Sequence, residues 1–125
     1  MAHVTAAAVT SENKVLCHPA SVDSISTSAG TEDHVSMGGH AARKALRVVE
    51  NVEVCLAIEL MCTCQALDFL RPLTSTKPIE AVYKLIRSKV PTLEQDRFLS
   101  PDIDAIVQLI RNGDIWRVAE EALLE

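Results

Sequence analysis

The chain has 125 residues, of which 48% are apolar and only 3% aromatic, so a core is affordable and must rest on aliphatic, Met and Cys side chains. With 4 Gly and 5 Pro, and long runs free of both, the composition favours helices over many short strands. A net charge of −5 without a basic block argues against nucleic acid or an anionic membrane surface as partner. There is no Arg before Arg43, so neither a secretory signal nor a transit peptide is expected, and no apolar run reaches the roughly 20 residues that span a bilayer.

Residues 1–16 are Ala-rich and predict a helix. It lacks Ser, Thr, Asp or Asn ahead of it and reads as cut from a longer helix. Residues 17–39 are rich in Ser and Thr with little apolar periodicity. Composition leaves two readings open: a flexible linker, or a functional loop whose hydroxyls satisfy its own backbone.

Residues 40–71 predict one long helix, because Ala41 to Leu70 contains neither Gly nor Pro. Its span is roughly 45 Å. In its first half, Ala42, Ala45, Leu46, Val49, Val52 and Leu56 recur at helical spacing. The second half, Val54 to Leu67, holds a single charge, Glu59, and predicts burial on all sides. The short helices that remain are too few to cover it. The expectation is therefore an oligomer, a piece of a larger bundle, or both. Glu59 is expected to pair with a basic residue from another element, because an unpaired buried carboxylate is costly.

Residues 72–125 predict short helices. Arg71-Pro72 stops the long helix, and Ile79 to Val90 forms the next, entered through Pro78 and stopped by Pro91. Thr92 to Gln95 has a capping-box pattern and predicts a single turn. Ser100-Pro101-Asp102 predicts a helix start with Ser100 as N-cap. That helix ends at Asn112-Gly113, and Asp114 opens a last one through Leu124. The fold class is all-α: a long-helix bundle fragment followed by short helices.

Cys17, Cys55, Cys62 and Cys64 form no Cys-x-x-Cys pair. They read as buried thiols in a reducing, cytoplasmic compartment. Cys17-His18 lacks an identifiable third group for nucleophilic catalysis. Glu32-Asp33-His34 is the densest titratable cluster of the polar loop. It supports three readings: solvated loop charges, a metal site with His18, Glu32 and His34, or an acid/base carboxylate. No stoichiometric metal is expected, because adjacent residues rarely point at one ion.

Several irregular strings resemble the C-terminal part of histidine ammonia-lyases: Ser11-Glu12-Asn13-Lys14, His18-Pro19-Ala20-Ser21-Val22-Asp23-Ser24, Thr27-Ser28 and Glu32-Asp33-His34-Val35-Ser36-Met37-Gly38. The likeness continues through Ala41-Ala42-Arg43-Lys44-Ala45, Leu56-Ala57-Ile58-Glu59-Leu60, Gln65-Ala66-Leu67-Asp68, Asp96-Arg97-Phe98 and Pro101-Asp102-Ile103. It covers nearly the whole chain, which would then be part of a larger, mainly helical lyase.

The resemblance implies a mainly helical homotetramer built around a large central helix bundle. It implies elimination of ammonia from L-histidine to give trans-urocanate. It also implies a methylidene-imidazolone electrophile formed from an internal Ala-Ser-Gly. This sequence contains no Ala-Ser-Gly, and Ser28-Ala29-Gly30 has the wrong order. The chain alone is thus expected to lack lyase activity. Glu32 is the one site residue that carries over, as an acid/base group or a contact to the substrate's amino or imidazole group. Asp33 and His34 are expected to order the loop. The related phenylalanine ammonia-lyases carry an amide at the position of Glu32, which points to histidine as substrate. Two alternatives stand beside this reading: a phenylalanine/tyrosine ammonia-lyase relative, and a non-catalytic helical oligomerisation module.

Overall fold

The computed structural model describes residues 1–124. Five helices follow in chain order: α1 (Ala2–Leu16), α2 (Gly38–Leu70), α3 (Lys77–Arg87), α4 (Ser100–Arg111) and α5 (Asp114–Leu124). Two single-turn 3-10 segments, Ala20–Asp23 and Ser28–Gly30, lie in the connection between α1 and α2. The one β-type pairing among the described residues is an isolated antiparallel bridge, Thr27 to Glu32. The all-α expectation holds.

α2 is the spine. At 33 residues it runs about 50 Å. α1 and α4 pack along it, and α3 packs against α5. The core gathers where the second half of α2 meets α3 and α4, around Ala57, Ile58, Met61, Ile86, Ile106 and Val107. No residue of α1 is buried, and the first half of α2 buries only Asn51. Asn51 Nδ2 donates to Glu12 Oε2 at 2.9 Å and to Asn13 Oδ1 at 2.8 Å. The α1–α2 seam is therefore stitched by amides rather than by apolar packing. Asn51 is satisfied in it, as a buried polar group must be.

Several expectations need correction. α2 starts at Gly38, ahead of the Gly-free run, and α3 runs from Lys77 to Arg87 rather than from Ile79 to Val90. Pro78 sits inside the first turn of α3, where its missing N–H costs nothing. Thr92 opens no helical turn: its hydroxyl reaches across to Asp68 Oδ2 at 2.9 Å. Ser100 is the first residue of α4, not its N-cap; Leu99 holds that place without a side-chain bond. Asp102 does lie in the first turn of α4, as expected, and there accepts from Arg97 Nε at 2.9 Å.

The apolar half of α2 is not covered on every side. Ala57, Ile58, Met61 and Cys64 are buried, while Leu56, Glu59 and Cys62 are exposed. Glu59 is found in none of the ion pairs among the described residues, because it faces away from the core rather than into it. The predicted stripe of the first half is also open: Leu46 is 64% and Val49 54% exposed. The buried-thiol expectation holds for Cys64 alone, since Cys55 is half-buried and Cys17 and Cys62 are exposed.

Candidate functional site

The loop between α1 and α2 is irregular but closely bonded. Lys44 of α2 donates from Nζ to the carbonyl of His18. Ser24 Oγ donates to the carbonyl of Val35 at 2.8 Å, tying the two limbs of the loop together. Ala20 is buried at its base. These clasps show an ordered segment rather than a loose linker. Two of its hydroxyls, Ser24 and Ser36, bond the segment's own backbone, while those of Ser26 and Thr27 bond its carboxylates.

At the tip the chain reverses through Ser28, Ala29 and Gly30, with φ of 53°, 52° and 83°. Three consecutive left-handed residues form one tight turn, with Gly30 N–H donating to Thr27 O and Thr31 N–H to Ser28 O, both at 3.1 Å. Gly30 suits this geometry; Ser28 and Ala29 do not, at a cost of about 1–2 kcal/mol each. Such strain persists only where surrounding bonds over-determine it. Here the turn is closed by the Thr27–Glu32 bridge. Thr27 N–H donates to Glu32 O at 3.0 Å, and Glu32 N–H returns to Thr27 O at 3.3 Å.

Each sequence-predicted group has a defined place. Glu32 stands on the closing rung of the turn, exposed, with Oε2 accepting the Thr27 hydroxyl at 3.2 Å. Asp33 accepts from Ser26 Oγ at 3.2 Å and from the His34 N–H at 2.9 Å. It therefore acts on the loop itself. His34 adopts φ 51° and lines a surface pocket with Pro19, Ser24, Ser36, Met37 and Ala41; Glu32 is not part of that lining. His18 Nε2 lies 3.6 Å from Asp23 Oδ2, which turns it to a different carboxylate. Among the described residues no three His, Cys, Asp or Glu side chains gather as a metal site, so His18, Glu32 and His34 are not brought together.

The far end of α2 carries a second polar cluster that sequence reasoning missed. Asp68 accepts from Tyr83 Oη, Arg87 Nη2 at 2.6 Å and Thr92 Oγ1 at 2.9 Å. Burial pushes its carboxyl up, but these three donors outweigh that and hold it below the usual range. Arg71 makes a two-pronged pair with Glu80 at 3.0 and 2.9 Å and lies 4.3 Å over the Tyr83 ring. Arg71, with the Ser75 N–H, holds Glu80 below its ordinary value. Burial pushes the Cys64 thiol up, with Arg87 opposing and Asp68 adding to the rise, so Cys64 is a packing residue rather than a nucleophile. These partners come from separate elements, and no spacing rule would have paired them.

Comparison with known proteins gives the arrangement a family. The family model described as aromatic amino acid lyase matches residues 1–88. Histidine ammonia-lyase of Homo sapiens is 62% identical over 119 residues, which is 95% of this chain and 18% of the human protein. The crystal structure of histidine ammonia-lyase from Trypanosoma cruzi superposes with a TM-score of 0.91 at 58% identity, over 97% of this chain and 24% of that one. Tyrosine aminomutase from Streptomyces globisporus superposes with a TM-score of 0.88 at 32% identity, over 95% of this chain and 23% of that one. The chain thus spans about a fifth of the length of the relatives it matches. Over that span it is similar to them in sequence and in helical frame, and the chain belongs to the aromatic amino acid lyase family.

Proposed function

We propose that the chain is the C-terminal helical portion of a histidine ammonia-lyase, which eliminates ammonia from L-histidine to give trans-urocanate. The observation that carries this reading is the 62% identity to histidine ammonia-lyase across 95% of the chain, including the loop that presents Glu32. The alternative, a relative acting on tyrosine or phenylalanine, rests on the likeness to tyrosine aminomutase; the lower identity of that pair makes it the weaker choice.

In this reading Glu32 is the chain's catalytic group. A carboxylate there either takes a proton during the elimination or pairs with a cationic nitrogen of L-histidine. Its exposed place on a clasped loop suits a group that meets substrate brought by other parts of the subunit.

The methylidene-imidazolone of the family does not arise here. Its Ala-Ser-Gly precursor is absent, and in Ser28-Ala29-Gly30 the central residue has no hydroxyl to lose. These residues do not fit the group. The electrophile belongs to another part of the subunit, and the chain by itself is inactive.

Two further features support the reading. The open stripe of Leu46, Val49, Val52 and Leu56 suits a helix that enters a homotetrameric bundle. Four free thiols suit the cytoplasm. No helix of the described residues is long and apolar enough to cross a membrane.

The test is a grafted enzyme: the human relative with its matching residues replaced by this chain. Glu32→Gln in that enzyme should lower kcat about 10²–10⁴-fold while assembly persists. Near-normal urocanate formation by the variant would remove Glu32 from the reaction.

A further inference from the structure

Thr27 makes three bonds to one residue. Its backbone N–H and carbonyl pair with those of Glu32, and its hydroxyl donates to Glu32 Oε2 at 3.2 Å. Thr27 is half-buried while Glu32 is exposed, so the anchored partner holds the free one. The residues between them, Ser28 to Gly30, all have positive φ, which folds the chain back and sets the two side chains beside each other. Glu32 Oε1 accepts no hydrogen bond among the described residues.

We propose that Thr27 is a positioning residue, whose hydroxyl fixes the Glu32 carboxylate through Oε2 and leaves Oε1 free for substrate. A glutamate side chain turns about three torsions and samples many rotamers when unrestrained. A single donor on one oxygen removes much of that freedom. Threonine suits the task for a local reason. Its backbone is extended, with φ −130° and ψ 177°, where a β-branched side chain is held to few χ1 rotamers. The hydroxyl is thereby aimed across the bridge rather than left to rotate. At 3.2 Å the bond is long for a hydroxyl on a carboxylate, so its effect on rate is modest.

This inference rests on the reading of Glu32 as a catalytic group, and the experiment separates the two. The probe is L-histidine turnover by the grafted enzyme carrying Thr27→Val, Thr27→Ser, Glu32→Gln, or Thr27→Val with Glu32→Gln. Thr27→Val keeps the branched shape and the backbone bridge and removes only the donor. It should lower kcat about three- to ten-fold with KM within about two-fold. Thr27→Ser restores the hydroxyl and should return kcat to within about two-fold of the parent. In the Glu32→Gln background, Thr27→Val should cost nothing further, because the carboxylate it positions is gone.

A Thr27→Val enzyme with parental kcat, beside a crippled Glu32→Gln enzyme, overturns the inference and leaves the Glu32 reading intact. Equal loss in Thr27→Val and Thr27→Ser, or loss of assembly in Thr27→Val, also overturns it by showing a scaffold role. An active Glu32→Gln enzyme overturns both.

Discussion

At the scale of residues, the loop depends on a turn that two of its three residues disfavour. Ser28 and Ala29 occupy the left-handed region, and the bridge from Thr27 to Glu32 holds them there. Gly30 is the residue whose conformation matters most, at φ 83° with open space around its Cα. A Cβ there would meet nothing within 4 Å, so the cost of substitution is chiefly conformational. Gly30→Val should destabilise the turn by about 1–2 kcal/mol, since a β-branched residue is a true outlier at positive φ. The measurement is amide exchange at Thr27 and Glu32, whose N–H groups form the bridge. Faster exchange at both is expected; unchanged protection would show that the turn is not what holds Glu32. None of this was legible beforehand. Gly30 marks a turn, but the sequence carries no sign that Ser28 and Ala29 follow it into the left-handed region. Glu32 itself was legible only through the family resemblance, because composition made it one of several loop charges.

At the scale of elements, the polar cluster around Asp68 ties α2 to α3 and to the segment that leads into α4. The Asp68–Arg87 pair is largely shielded, with 13% and 12% of the side chains exposed. Removing one partner of such a pair strands the other. Asp68→Ala should therefore cost about 3 kcal/mol. It should lower the thermal midpoint of the chain by about 5–15 °C, followed by far-UV circular dichroism. The sign with pH follows from the lowered carboxyls of Asp68 and Glu80. Groups held below their ordinary values contribute stability above the unfolded value, near pH 4, and lose it as pH falls through the folded one. The gap between parent and Asp68→Ala should thus hold above about pH 5 and shrink as pH falls below about 4, because only the parent carries the Asp68 carboxylate. A gap that stays constant would mean the cluster is not ionic in origin.

Helix ends show what sequence could and could not give. Pro72 and Gly113 stopped α2 and α4 at the expected places, because proline lacks a donor and glycine accepts positive φ, here 74°. Thr92 misled, because its hydroxyl has a better partner 24 residues away than its own backbone.

At the scale of the whole molecule, periodicity identified α2 as the spine but not what covers each side. Leu46, Val49, Val52 and Leu56 were expected on an amphipathic face, yet α1 packs elsewhere, against Asn51 and the half-buried Cys55. Apolar spacing says that a face wants a neighbour; it does not say which chain supplies it. The faces left open on α2 leave room for neighbours, and the chain spans about a fifth of the length of its relatives. The most direct test is urocanate formation by the grafted enzyme and by the chain alone, each supplied with L-histidine. Turnover within about ten-fold of the human parent is expected for the graft, since the exchanged segment keeps Glu32 and its frame, and none for the chain alone. An assembled graft without turnover, or sustained turnover by the isolated chain, would contradict the account.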